Sequence, residues 1–127
     1  MSLVSPLNRV IGLGSAKTGA EHWWVQRVSA LALIPLGLWL ALSLGALDDY
    51  GYATVAAWVQ RPVTSILFVL TVLVVSYHSY LGVQVVIEDY VHGAASKPAA
   101  LIASGLAHFG LCVAPLVAIL RIAFSAP

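Results

Sequence analysis

HSYLGVQVVIEDY, His78 to Tyr90, closes an apolar run from Val63 to Ile87 that holds no Asp, Glu, Lys or Arg. Two comparable charge-free runs, Val28–Leu47 and Pro98–Leu120, flank it in the sequence. Each is long enough to cross a hydrocarbon layer of about 30 Å at about 1.5 Å per helical residue. The 127 residues are 61% hydrophobic and only 9% charged, against about 25% charged in a soluble domain. The chain therefore reads as an all-α membrane protein with three transmembrane helices, over about 24–47, 63–89 and 98–122. Residues 1–22 are expected to form a polar tail and 23–127 the three-helix membrane domain, with no room for a separate soluble one.

Charge placement sets the orientation. Arg9, Lys17, Arg27 and Lys97 lie on one side of the expected membrane, and Arg61 and Arg121 on the other. Lys and Arg concentrate on the cytoplasmic side, so the N-terminus and second loop are expected there. A net charge of +1 gives no footing for nucleic acid. The tail lacks the apolar stretch of a cleaved signal peptide, and a bacterial inner membrane fits best. GLGSAKTG, Gly12 to Gly19, is not a phosphate loop, because Ala16 stands where the pattern needs Gly before Lys. Cys112, alone inside the third run, reads as a small buried apolar residue.

Small residues recur every four positions at Gly37, Ala41 and Gly45 and at Gly110, Ala114 and Ala118. That spacing lets helices approach closely in lipid. Pro35 and Pro115 should bend their helices and leave a carbonyl for a neighbour. Three helices leave broad faces, a first hint of a chain that packs with others in an assembly.

His78 lies roughly 13 Å inside the end of its run, near mid-membrane. An ionisable side chain there is costly and turns toward a partner. Thr71, His78, Gly82, Val85 and Asp89 share one stripe at 100° per residue. Gly82, one turn from His78, clears bulk beside the imidazole. The pattern admits three roles for His78: haem ligand, interhelical hydrogen bond, or proton relay. A six-coordinate haem would need a second ligand, from His108 or from another chain. Tyr90, with Asp89 beside it, could donate a hydrogen bond to a quinone carbonyl and exchange a proton, or be an interfacial tyrosine next to a solvated acid pair.

The stretch H-x-x-x-G-x-x-x-x-x-x-D-Y, here His78, Gly82, Asp89 and Tyr90, resembles a membrane-anchor family of succinate dehydrogenase, respiratory complex II, of bacterial type. HWWVQRVSA, His22 to Ala30, resembles that family's start of the first helix, and the size and three-helix plan agree. The resemblance implies a four-subunit assembly with a flavoprotein, an iron–sulfur protein and a second membrane anchor. It implies haem b held between the two anchors, with His78 as one axial ligand and Gly82 giving the porphyrin room. It implies that Tyr90 hydrogen-bonds ubiquinone with Asp89 beside it, and that Arg27, with His22, lies near the haem propionates or the quinone pocket. It assigns the other haem ligand to the second anchor, which leaves His108 to an interhelical hydrogen bond. His92 is expected to be solvated or against the iron–sulfur protein. A fumarate reductase anchor and a haem-free structural anchor are the alternatives. A transport protein would want intramembrane acids, and the three runs contain none.

Overall fold

The structure, a computed structural model, describes residues 13–125. Arg9 and Gly12, with residues 1–12 of the tail expected over 1–22, lie outside the described residues. The described residues are helical with no strand. α1 runs Leu13–Gly45, α2 Tyr52–Val59, α3 Pro62–Tyr90 and α4 Ser96–Ala123. α1, α3 and α4 are each long and apolar enough to cross a membrane.

Two features differ from expectation. α1 begins at Leu13 rather than near Trp23. Hydropathy marks where a helix meets lipid, not where it starts; the segment before Trp23 has Ala16, Lys17, Ala20 and Glu21, all good helix formers, and no Pro. The first loop also contains a helix, α2. The Asp49 carboxylate ties its start, accepting the Gly51 N–H at 2.6 Å and the Thr54 hydroxyl at 2.8 Å. This Asx turn, readable in D-Y-G, is a local device that hydropathy does not register. The hydroxyl of Thr54 and the N–H of Gly51 hold the Asp49 carboxyl below the usual carboxylate range. A lowered folded-state pKa means this tie is present above the unfolded value and is lost as pH falls through the folded one. Arg61, extended, caps α3, and Pro62 takes its first position, where a missing N–H costs nothing.

The three long helices run alternately up and down. Ser29 of α1 meets His78 of α3, Ser79 of α3 meets His108 of α4, and Gln60 reaches Ser125 at the opposite end. α3 is thus the middle helix, packed on α1 and on α4. α1 and α4 stay continuous through Pro35 and Pro115.

The apolar core is small and sits at one end. Trp58 and Val59 of α2 and Ile119 of α4 are buried there, with Trp39, Leu44, Phe68 and Val72 around them. The Trp58 ring stacks on Trp39 at 6.0 Å and meets Phe68 at 5.6 Å. Most of the remaining apolar surface faces outward, including Leu31, Leu38, Ile102 and Phe109. A methyl group at Gly37, Gly45 or Gly110 would meet nothing within 4 Å. These small residues therefore do not serve close packing within the chain.

Trp58→Ala should destabilise the fold by about 3–5 kcal/mol, the usual cost of deleting a buried aromatic ring. Tyr52→Ala on the same helix, at an 80% exposed site, should cost under about 0.5 kcal/mol. Denaturation of the two variants in matched detergent reads the difference.

Candidate functional site

α3 presents a histidine to α1 and a serine to the histidine of α4. His108 of α4 is half-buried against α3. Its Nδ1 lies 2.8 Å from the Ser104 carbonyl oxygen, which can only accept, so Nδ1 carries the hydrogen. Its Nε2 must then accept from the Ser79 hydroxyl of α3 at 3.2 Å. Tyr80 packs edge-on to the ring at 5.8 Å. Both ring nitrogens are occupied, and His108 makes the interhelical hydrogen bond expected of it.

His78 faces α1 and is arranged differently. Its Nδ1 is 2.9 Å from Ser29 Oγ, and Ser29 is buried. The single Ser29 hydroxyl hydrogen goes to the Gln26 carbonyl at 3.0 Å. A serine has one O–H donor and two lone pairs, so while that hydrogen points to the carbonyl, Ser29 Oγ is an acceptor for Nδ1–H of His78. The lone pair then resides on Nε2, and no described residue hydrogen-bonds that atom. In that arrangement His78 has the tautomer that can ligate through Nε2.

Gly82, one turn on, also faces α1. A Cβ there would sit 3.7 Å from Gln26 Nε2, ordinary contact. Packing inside this chain does not require glycine at 82. Two polar atoms near this interface lack partners among the described residues: His22 Nε2 and Gln26 Oε1, both sealed from solvent. An unpaired buried polar group costs about 1–3 kcal/mol, so both side chains gain by any turn that brings these atoms to a polar partner. Gln26 and Ser29 were not singled out in the sequence. The signal was present: His22, Gln26 and Ser29 fall at i, i+4 and i+7, a polar stripe at the start of an apolar helix.

The other candidates stand apart from this cluster. Arg27 is exposed, its guanidinium 5.3 Å from the Trp23 ring centroid. Trp23 meets Trp24 edge-on at 5.2 Å. Asp89 and Tyr90 lie exposed at the last turn of α3, Tyr90 79% so. They are roughly 18 Å along the axis from His78. That turn is held in place around them: Lys97 Nζ donates to the Glu88 carbonyl at 3.0 Å, and Gln84 Nε2 to the Glu88 carboxylate at 2.8 Å. A cation on the last carbonyls suits the negative end of a helix. His92 is exposed in the loop, its Nδ1 donating to the Tyr90 carbonyl at 3.2 Å.

Among the described residues no three His, Cys, Asp or Glu side chains converge. The chain therefore offers a metal a single nitrogen, not a cage. One imidazole with no hydrogen bond from a described residue on Nε2, and a glycine one turn away, could hold one axial position of a haem.

The arrangement defines a class: a multi-pass helical membrane protein whose middle long helix carries a histidine with Nε2 unbonded by any described residue. Residues 1–122 match the family described as Succinate dehydrogenase/Fumarate reductase transmembrane subunit, and the chain belongs to that family. Relatives named succinate dehydrogenase hydrophobic membrane anchor subunit include one from Paracoccus denitrificans, 29% identical over 99% of this chain and 97% of its own length. Another, from Rickettsia bellii, is 39% identical over 61% of this chain and 62% of its own. The succinate dehydrogenase membrane anchor subunit of Reclinomonas americana is 37% identical over 61% of this chain and 67% of its own. The aligned stretch spans under two thirds of the Rickettsia relative's length. No solved structure matches significantly.

The Ser79–His108 contact should behave as an ordinary intramembrane hydrogen bond. A double-mutant cycle of Ser79→Ala with His108→Leu should return a coupling of about 0.6 kcal/mol and no more than about 1.7, read from unfolding in detergent.

Proposed function

We propose that this chain is the hydrophobic membrane anchor of a succinate:ubiquinone oxidoreductase, with His78 as one axial ligand of haem b. The observation that carries the reading is the contrast between the two intramembrane histidines. His108 has both nitrogens engaged, whereas His78 keeps an Nε2 lone pair. In this reading the partners are a second membrane anchor that gives the other axial ligand, an iron–sulfur protein that delivers electrons, and a flavoprotein that oxidises succinate. The relatives' names favour succinate oxidation, although the family description also covers fumarate reductases. The distribution of Lys and Arg supports a cytoplasmic N-terminus, and the Rickettsia and Paracoccus relatives support a bacterial inner membrane.

Haem b, when bound, supplies a one-electron carrier inside the membrane. His78 would hold its Nε2 toward that carrier from the face of α3 that packs on α1. Gly82 keeps the adjacent turn free of side-chain bulk. His22, whose Nε2 is covered in the isolated chain, would turn outward with Gln26 to meet a polar edge such as a propionate, and Arg27 would add charge at the membrane surface near the propionates or the quinone pocket. Ubiquinone needs two electrons and two protons to become quinol. Tyr90, exposed at the end of α3, donates its phenol hydrogen bond to a quinone carbonyl. Asp89 beside it takes up protons from the aqueous side and passes them on.

Two sets of variants in the assembled complex test this. His78→Ala should abolish the six-coordinate low-spin haem signal, and its survival unchanged would remove the ligand assignment. Gly82→Ala should leave the anchor folded, since alanine fits there and gains up to about 1 kcal/mol of helix propensity, yet should lower haem occupancy.

Tyr90→Phe removes one hydroxyl. A lost hydrogen bond with an unpaired partner costs about 1–3 kcal/mol, and a factor of ten in rate is about 1.36 kcal/mol. Succinate–quinone reductase activity should therefore fall roughly 5- to 150-fold. Succinate oxidation with an artificial acceptor should stay near normal. Equal loss of both activities would mean failed assembly, and loss of neither would take Tyr90 out of the quinone site.

A further inference from the structure

We infer that Ser29 is a positioning residue for His78: its hydroxyl oxygen fixes the imidazole tautomer and strengthens Nε2 as a ligand. The inference rests on the reading of His78 as a haem ligand and adds to it a residue on a different helix.

Ser29 is buried on α1, one helix away from His78, and its hydroxyl makes two contacts of opposite sense. Donation to the Gln26 carbonyl at 3.0 Å uses its only hydrogen. Acceptance from His78 Nδ1–H at 2.9 Å uses a lone pair. When Nε2 is a ligand, Nδ1 must carry the ring hydrogen, and the Ser29 hydroxyl then accepts it while keeping its own hydrogen on the backbone of its helix. The reverse tautomer, with hydrogen on Nε2, would face Nδ1 and Oγ lone pair to lone pair. Of the two directions this hydrogen bond can take, the one from Nδ1–H to Oγ keeps both contacts of Ser29 and leaves Nε2 with the lone pair. Donating to the carbonyl also polarises the hydroxyl and makes its oxygen a better acceptor. An acceptor on the far nitrogen of an imidazole raises the basicity of the ligating one. A more electron-rich ligand favours ferric over ferrous iron, so Ser29 lowers the haem potential. His108 shows what the same residue types do without this arrangement. There serines and a carbonyl occupy both nitrogens, and nothing is left to ligate.

The test compares Ser29→Ala, Ser29→Thr and His78→Ala in the complete complex purified from membranes. Three quantities are read: haem per complex, the ferric low-spin resonance spectrum, and the haem midpoint potential by redox titration. Ser29→Ala should shift the low-spin resonance, raise the potential and weaken haem retention by about 10- to 100-fold. A tenfold change in the relative preference for the two oxidation states reads as about 59 mV for one electron. Ser29→Thr keeps the hydroxyl and should return all three toward the parent values. Haem lost from Ser29→Ala but kept in Ser29→Thr supports the same conclusion. A parent-like potential and resonance in Ser29→Ala overturns it, and so does equal loss in the Ala and Thr variants, which would trace the effect to packing. If His78→Ala keeps a parent-like low-spin haem, the ligand reading itself fails, whatever Ser29 does. If His78→Ala loses it while Ser29→Ala is unchanged, only the role of Ser29 fails.

Discussion

A polar side chain in hydrocarbon has no water to fall back on, and this constraint organises the long helices. Ser29 and Thr71 return their hydroxyl hydrogens to backbone carbonyls, and Ser79 spends its own on a histidine. Each of the two intramembrane histidines meets a serine on the neighbouring helix. Polar pairing of this kind helps fix which face of α3 meets α1 and which meets α4, a choice that apolar packing between lipid-bathed helices would leave loose. The functional asymmetry follows from the number of polar groups near each ring. Where a carbonyl and a hydroxyl flank the imidazole, it is consumed; where one hydroxyl flanks it, a nitrogen remains.

The fold divides its tasks between its two ends. At the end where α1 finishes and α3 begins, α2 closes an aromatic cluster of Trp39, Trp58 and Phe68. That is where the chain has an interior of its own. Toward the other end the helices meet through polar contacts and a glycine, with Leu81 as a lone buried apolar side chain. The apolar core and the candidate site are thus separated along the long axis of the helices. The His22–Gln26–Ser29 stripe can hold unpaired atoms because cohesion comes from elsewhere.

Much of this was legible in the sequence. The three charge-free runs located the membrane helices, because transfer into hydrocarbon leaves little alternative to a helix. His78 and Gly82 stood out because an imidazole near mid-membrane needs a reason. The start of α1 was misplaced, since hydropathy records lipid contact and Leu13–Glu21 is helical without being strongly apolar. α2 was missed because eight residues between turns carry a weak periodic signal, although the Asp49–Gly51 turn was readable. Ser29 was hidden for another reason. Its significance lies in a contact 49 residues away, and a serine on an apolar helix is ordinary until its partner is known.

The glycine faces at 37, 45 and 110, open in the isolated chain, bear on how such a protein persists. With four buried apolar side chains and two unpaired polar atoms among its described residues, the fold has little to lose by opening. A partner that closes those faces binds the folded form and not the unfolded one, so by mass action its concentration adds directly to folding stability. In the proposed assembly, the amount of this chain in the membrane becomes a function of the supply of its neighbours. Copies without partners would stay closer to unfolding and more open to proteolysis than assembled ones.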